Sequence, residues 1–142
     1  MNNEQPNNRR NSKTILVVED SPTQAFAMIQ LLEQRGLNVL CAPDGSAGVK
    51  LAKKSRPDLI ILDIQMPGMD GLEACHIIKQ DPAIKDVPII FLTAISEPDA
   101  LRKGIVEGAV DFIPKDAFSD MVLLKTLEQL NIISGDETGE TR

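Results

Sequence analysis

Aromatic side chains are scarce in this sequence of 142 residues, which contains four phenylalanines, no tryptophan and no tyrosine. Its core must therefore be mainly aliphatic, and stacking of bases on aromatic rings is excluded as a main mode of nucleic-acid binding. Basic residues are outnumbered as well, with 15 Lys and Arg against 21 Asp and Glu and a formal net charge of −6. Because phosphate backbones repel an acidic surface that lacks a basic cluster, we expect no direct DNA binding.

Residues that bind soft metals or form disulfides are equally few. The two cysteines, Cys41 and Cys75, and the single His76 cannot supply a zinc site of the usual ligand number or a disulfide framework. No apolar run approaches the length of a membrane span, and the N-terminus lacks the apolar segment of a secretory signal. We therefore expect a cytoplasmic protein that is kept reduced and has no membrane association.

What the sequence does contain is the composition of one soluble domain, with 42% hydrophobic and 25% charged residues. Residues 1–12 have no apolar side chain beyond Met1, and residues 134–142 are similarly polar. Such segments cannot bury enough apolar surface to offset the loss of chain entropy on folding. We therefore predict disordered tails at 1–12 and 134–142, with a single domain at 13–133 between them.

Within the predicted domain, short apolar runs alternate with stretches of helical periodicity, which is typical of βαβ units and a parallel sheet. Continuous apolar runs at 60–62 and 89–92 favour strands that are covered on both faces. The predicted strands are 14–18, 38–42, 58–62, 88–92 and 110–113, and the predicted helices are 22–36, 45–54, one that begins at 71, 96–108 and 118–130. Because crossovers are right-handed and place helices on both faces, this order predicts a doubly wound α/β sheet, a three-layer sandwich.

Helical spacing also predicts which side chains are buried. In the first helix, Ser21 with Gln24 three residues on is typical of a capped start. The residues that we expect in the core are Phe26, Ile29 and Leu32 of the first helix, Leu123, Leu124, Leu127 and Leu130 of the last helix, and the small residues Cys41 and Cys75. We expect His76 at the surface, together with Met121 and Val122, which fall outside the apolar stripe of the last helix.

Chemically active side chains follow four of the five predicted strands, at the sheet edge where open α/β folds bind ligands. They are Glu19 and Asp20 after the first strand, Asp63 after the third, Thr93 after the fourth and Lys115 after the fifth. Three carboxylates in one pocket repel each other and favour a divalent cation, and hard oxygen ligands suit Mg²⁺. The lysine and the threonine hydroxyl could bind the other oxygens of a metal-bound phosphate, and a carboxylate beside the metal could form an acyl phosphate.

Several segments of the sequence resemble the receiver domain of two-component response regulators. They are VVEDS at 17–21, LDIQMPGMDG at 62–71, FLTA at 91–94 and the late Lys115. The resemblance covers nearly all of the predicted domain. It is a resemblance to stand-alone receivers, such as the chemotaxis receiver, which have no output domain attached. It implies a flavodoxin-like sheet of five parallel strands in the order 2-1-3-4-5, with five helices.

The resemblance also implies how the acceptor and the metal site are built. Asp63 matches the aspartate that accepts the phosphoryl group. Asp20 matches a direct Mg²⁺ ligand, and Glu19 would act on the metal through water. Gln65, two residues after the acceptor, would offer its backbone carbonyl to Mg²⁺.

Three further positions match residues that respond to phosphorylation in the family. Thr93 matches the switch hydroxyl, Lys115 the lysine that pairs with the phosphate, and Phe112 the switch aromatic. Asp116 departs from the family pattern, because proline usually follows the lysine and often has a cis peptide bond. We therefore expect a trans bond there, since a cis bond before a residue other than proline costs about 2.5–4 kcal/mol.

From the resemblance we predict a single-domain response regulator rather than an enzyme in the ordinary sense, because it would catalyse only its own phosphorylation and dephosphorylation. A sensor histidine kinase or a histidine phosphotransfer protein would present the phospho-histidine. A downstream protein would bind the face formed by the fourth helix, the fifth strand and the fifth helix, on which Met121 and Val122 lie. The same face could support a homodimer.

Three alternatives use the same fold class. A pseudo-receiver would bind proteins without being phosphorylated, and it is disfavoured because every chemical position is filled. A Mg²⁺-dependent phosphatase needs a second acid two residues after its nucleophile, where this chain has Gln65. A flavodoxin-like FMN binder needs a phosphate-binding loop after the first strand and aromatic rings to stack on the flavin, both of which are missing here.

Overall fold

The computed structural model describes residues 12–94, 99, 102, 103 and 107–134. The tails predicted at 1–12 and 134–142 lie outside the described residues, apart from Ser12 and Ser134. The strands are β1 Thr14–Val18, β2 Asn38–Ala42, β3 Leu59–Leu62, β4 Ile89–Thr93 and β5 Asp111–Pro114. They form one parallel sheet in the order β2-β1-β3-β4-β5, which confirms the predicted order, and each strand begins and ends within one residue of its predicted bounds.

The helices with described boundaries are α1 Pro22–Glu33, α2 Gly45–Ser55, α3 Gly71–Lys79 and α4 Ser119–Gln129. The helix predicted at 96–108 lies largely outside the described residues, although Asp99, Arg102 and Lys103 are helical. Within the described part of the chain, no helix has the length and hydropathy of a membrane-spanning segment.

Side-chain caps fix where the first three helices begin. Ser21 precedes α1, Asp44 precedes α2 and Asp70 precedes α3, and each accepts a hydrogen bond from the backbone N–H three residues further on. The acceptor–donor distances are 3.3 Å, 2.8 Å and 2.9 Å in that order. The first N–H groups of a helix have no partner inside the helix, so a side-chain cap stabilises the helix start. The three caps therefore fix where the loops at the carboxyl edge of the sheet end and the helices begin.

The core consists of two apolar clusters on opposite faces of the sheet, since side chains alternate along each strand. One cluster joins Val18, Leu62 and Phe91 to residues of α2 and α3. The other joins Val17 and Ile61 to residues of α1 and α4. The sheet is therefore covered on both faces, which confirms the predicted three-layer α/β sandwich.

Two residues that were predicted to be buried lie at the surface. Phe26 is 60% exposed and Ala25 is buried in its place, so the buried stripe of α1 begins one residue earlier than predicted, while Leu32 is buried as predicted. Cys41 is exposed because it lies on β2, an edge strand with one neighbour. Apolar character alone therefore predicts burial on the wrong side of α1. It also does not reveal that β2 lies at the edge of the sheet.

Ile29, also predicted in the core, is only partly buried, and the other burial predictions are confirmed. Cys75 is fully buried on α3, while 57% of the His76 side chain is exposed. On α4, Leu123 and Leu127 are fully buried, Leu124 and Leu130 are partly buried, and Met121 and Val122 are 65% and 44% exposed.

Candidate functional site

Three carboxylates converge at the carboxyl edge of the sheet. Glu19 and Asp20 follow β1 and Asp63 follows β3, and these strands are adjacent and end in register, with Val18 beside Leu62. One oxygen from each carboxylate lies within 4.8 Å of the other two. Among the described residues, this is the one group of three or more His, Cys, Asp or Glu side chains that could hold a metal ion. The all-oxygen donor set fits Mg²⁺, which binds through carboxylates and water.

Backbone amides hold the two buried carboxylates of this cluster. Glu19 is 8% exposed, and its Oε2 accepts a 3.1 Å hydrogen bond from the N–H of Ser21. Asp63 is 7% exposed, and its Oδ1 accepts a 3.2 Å hydrogen bond from the N–H of Gln65. Asp20 is exposed, so this side of the cluster is open to solvent. The site thus has fixed carboxylates at its base and an accessible carboxylate at its mouth.

Lys115 joins the cluster from the loop after β5. Its Nζ donates to Glu19 Oε1 at 2.7 Å, to Asp63 Oδ2 at 3.0 Å and to Gln24 Oε1 on α1. Burial alone would lower the pKa of Lys115, but hydrogen bonds to Glu19 and Asp63 and their negative charges outweigh it, and the pKa is raised above 10.5. Lys115 is therefore an ammonium at neutral pH, and it neutralises part of the acidic cluster.

A turn made by Asp116 shapes the loop that carries Lys115. The N–H of Lys115 donates to the Thr93 carbonyl at 2.8 Å, which continues the β4–β5 pairing by one residue. Asp116 Oδ1 then accepts a 2.8 Å hydrogen bond from the N–H of Phe118. No cis peptide bond occurs among the described residues, so the Lys115–Asp116 bond is trans, as predicted. The Asp116 side chain thus restrains the turn at the position where the resemblance led us to expect proline.

Thr93 lies on β4, the strand next to β3, and Phe112 lies on β5, one strand further from Asp63. Thr93 is the last residue of β4 and is fully buried. Phe112 on β5 is half-buried, and its ring centroid lies 6.0 Å from that of Phe91, within the usual range for a packed aromatic pair. Thr93 is therefore at the carboxyl end of the strand beside Asp63, whereas Phe112 lies inside β5 next to Phe91, and the switch roles of both residues stay predictions.

Gln24 is the site residue that the sequence did not reveal. We interpreted it as one half of a reciprocal cap, and its N–H does donate to Ser21 Oγ. The N–H of Ser21, however, donates to Glu19, and the Gln24 side chain instead accepts from Lys115. Local spacing cannot distinguish these two uses of a glutamine, because the lysine lies 91 residues away in the sequence.

Comparison with known proteins supplies the context for this geometry. A family model described as the response regulator receiver domain matches residues 15–128. The protein PilH of Pseudomonas aeruginosa is 35% identical over 113 residues, which cover 80% of this chain and 93% of PilH. The response regulator PleD of Caulobacter vibrioides is 33% identical over 119 residues; they cover 84% of this chain but 26% of PleD, so the chain spans about a quarter of this relative.

Solved structures are similar over the same region. The chemotaxis protein CheY4 of Vibrio cholerae is 32% identical, with a TM-score of 0.77 and coverage of 83% of this chain and 98% of CheY4. The receiver domain of the sensor histidine kinase PA1611 of Pseudomonas aeruginosa is 30% identical, with a TM-score of 0.76 and coverage of 83% of this chain and 96% of that domain. That structure contains a magnesium ion coordinated in its active site cleft.

Proposed function

Because this chain belongs to the response regulator receiver domain family, we propose that it accepts a phosphoryl group on Asp63 in a Mg²⁺-dependent reaction. The observation that carries the proposal is the environment of the Asp63 carboxylate. It is nearly buried, its Oδ2 lies 3.0 Å from an ammonium, and two further carboxylates lie within reach of one cation. Such surroundings can neutralise the charge that accumulates when a carboxylate attacks a phosphate.

Glu19, Asp20 and Asp63 are the side chains that would hold Mg²⁺, and we assign the backbone carbonyl of Gln65 as a further ligand. The metal would supply positive charge between the incoming phosphoryl oxygens and the carboxylates. Two observations support the assignment: the donors are all oxygen atoms, and the similar PA1611 receiver holds a magnesium ion in its cleft. Lys115 binds two of the same carboxylates, so it must give up part of this contact when the cation enters.

In the proposed reaction, a carboxylate oxygen of Asp63 attacks the phosphorus of a phospho-histidine. The new P–O bond forms as the P–N bond breaks, and the imidazole leaves with the electron pair of that bond. The donor would be a sensor histidine kinase or a histidine phosphotransfer protein. Lys115 would then pair with the phosphoryl oxygens, and the hydroxyl of Thr93 would donate to another of them. Later attack by water on phosphorus would return the carboxylate and release phosphate.

The proposed output is a change in a protein-binding face. As Thr93 moves toward the phosphoryl group, Phe112 would shift from its half-buried position and alter the surface of β5 and α4. Phe118, Met121 and Val122 are exposed apolar residues at the start of α4, and they give this surface the character of a docking site. A downstream protein or a second copy of the chain would bind there and distinguish the two states.

Phosphorylation can be tested by incubating the protein with a small phosphodonor and Mg²⁺ and measuring its intact mass. We expect the wild type to gain one phosphoryl group, and we expect no gain with EDTA or in Asp63→Asn. Asp86→Asn, which makes the same change at an exposed loop position, is the matched control and should be phosphorylated normally.

Each other outcome of this experiment would reject part of the proposal. A gain that persists in Asp63→Asn would show that another residue is the acceptor. If the wild type gains nothing although it binds Mg²⁺, the chain is a pseudo-receiver that acts through protein contacts alone.

A further inference from the structure

A cavity of about 330 Å³ lies beside Lys115, between α1, the sheet and the start of α4. Its apolar wall is formed by Val17, Ala27, Met28, Ile61 and Leu92. Its volume is at the lower end of the range of about 300–1,000 Å³ that is typical of small-molecule sites. Asp20, the exposed ligand of the candidate metal site, does not line it. The cavity therefore adjoins the candidate metal site on the side away from Asp20, and it shares Glu19, Asp63 and Lys115 with that site.

Negative charge prevails at the polar side of this cavity. Four carboxylates line it, those of Glu19, Asp63, Asp116 and Asp120, together with a single ammonium, that of Lys115. Lys115 already pairs with Glu19 and Asp63. Asp116 and Asp120 form no ion pair within the described part of the chain. The uncompensated charge thus lies at the exposed rim, with Asp116 in the turn before α4 and Asp120 in the first turn of that helix, next to an aliphatic wall.

We propose that this cavity binds a compact organic cation, an ammonium group on an aliphatic body of about six to eight carbon atoms. The ammonium lies at the rim beside Asp116 and Asp120, and the body contacts Ala27, Ile61 and Leu92. An anion of the same shape would be repelled by the carboxylates, and a neutral analogue would lack the attraction. The proposal does not rest on phosphorylation of Asp63, and it can be tested without Mg²⁺.

Three matched probes test the charge preference: cyclohexylmethylammonium, cyclohexylmethanol and cyclohexanecarboxylate. Each is titrated into the full chain with EDTA present, and binding is followed by calorimetry and by the methyl NMR signals of Met28, Ile61 and Leu92. We expect the ammonium to bind with a Kd of about 1 mM, a value ordinary for a ligand of this size, and the other two about tenfold more weakly. Equal binding of all three probes would overturn the proposal, and so would the absence of ammonium binding at ten times the expected Kd.

Variants then locate the bound cation. Ala27→Leu fills the cavity and should weaken binding about tenfold or more, and the double change of Asp116 and Asp120 to Asn should weaken it several-fold. Asn keeps the acceptor oxygen that the turn at Asp116 needs, so the double variant remains informative if Ala27→Leu does not fold. Asp99→Asn changes the same charge on a 92% exposed side chain and should have no effect.

Asp20→Asn separates the cavity from the candidate metal site, because Asp20 belongs to the acidic cluster and not to the cavity wall. Binding should be weakened much less in this variant than in the double variant of Asp116 and Asp120. If it is lost in Asp20→Asn and retained in Ala27→Leu, the cation binds the acidic cluster and the cavity is not its site.

Discussion

Among single residues, Lys115 brings a positive charge into the acidic site. Its ammonium is held by Glu19 and Asp63, and the pKa of Lys115 is raised above its usual value of 10.5 by these contacts although burial opposes the shift. A folded-state pKa above the unfolded one means that this residue contributes stability below pH 10.5 and loses the contribution as the pH rises through the folded pKa. Around neutrality the lysine is therefore always charged, and it competes with any cation for the carboxylates.

This competition predicts that Lys115→Met binds Mg²⁺ more tightly than the wild type. Removing one positive charge at hydrogen-bond distance from two ligands should lower the Kd about tenfold or more. Calorimetric titration with Mg²⁺ measures the change. Lys125→Met removes an ammonium that is 69% exposed on α4 and should leave the Kd unaltered. Unchanged or weaker binding in Lys115→Met would contradict the competition.

The two cysteines provide a second test at the residue scale. The pKa of Cys75 is raised to about 11, mainly by burial; the charge of Lys79 lowers this pKa and that of Glu107 raises it. The thiol therefore stays protonated at neutral pH. Cys41 is exposed, although partial burial of its sulfur and the charge of Glu19 also raise its pKa. We expect iodoacetamide at pH 8 to alkylate Cys41 at least about tenfold faster than Cys75, because the thiolate is the reactive form. Peptide mass mapping over time measures both rates, and comparable rates in the folded protein would contradict the assigned burial.

Among the elements, α3 is the helix whose start is closely packed against the loop that begins at Asp63. Its cap Asp70 and its first residue Gly71 follow the loop that begins at Asp63. The N–H of Gly71 donates to the carbonyl of Ile64 at 2.9 Å. A Cβ at position 71 would lie 2.2 Å from the carbonyl oxygen of Asp63, and backbone cannot move away as a flexible side chain can. Only glycine therefore lets the helix begin this close to Asp63.

We expect Gly71→Ala to destabilise the fold by about 1–3 kcal/mol, the usual cost of overpacking. Urea unfolding measures the loss. Glu73→Ala, an exposed change two residues further along α3, should alter the free energy of unfolding by less than about 1 kcal/mol. Equal stability of Gly71→Ala and the wild type would show that the loop can shift away from the helix.

The sequence was sufficient to predict elements whose signals are local. Apolar runs located all five strands, and the predicted starts of the first three helices at residues 22, 45 and 71 are confirmed. What could not be predicted depends on distant packing. Phe26 lies on the solvent side of α1 because the neighbouring Ala25 faces the sheet. The side chain of Gln24 contacts Lys115 because the loop after β5 brings the ammonium close to α1. The acidic cluster was predictable because strand ends in a parallel sheet share one edge.

For the whole molecule, the acidic cluster opposes folding to the extent that its charges remain uncompensated. The chain has a formal net charge of −6, and two of the three clustered carboxylates are nearly buried in the folded state. Lys115 compensates one charge. A divalent cation that binds the folded cluster and not the unfolded chain must stabilise the entire domain, because its binding free energy adds to that of folding.

We therefore expect Mg²⁺ at about ten times its Kd to raise the Tm by about 4 °C, which corresponds to roughly 1.4 kcal/mol for a domain of this size. Thermal unfolding followed by circular dichroism measures the shift. NaCl at the same ionic strength tests for simple screening of the net charge, and it should give a much smaller effect. Asp20→Asn removes one ligand and should lose most of the Mg²⁺ shift, whereas Asp99→Asn makes the same charge change away from the cluster and should retain it. A shift that survives in Asp20→Asn, or that NaCl reproduces, would mean that Mg²⁺ acts on the protein charge in general and not at the carboxyl edge of the sheet.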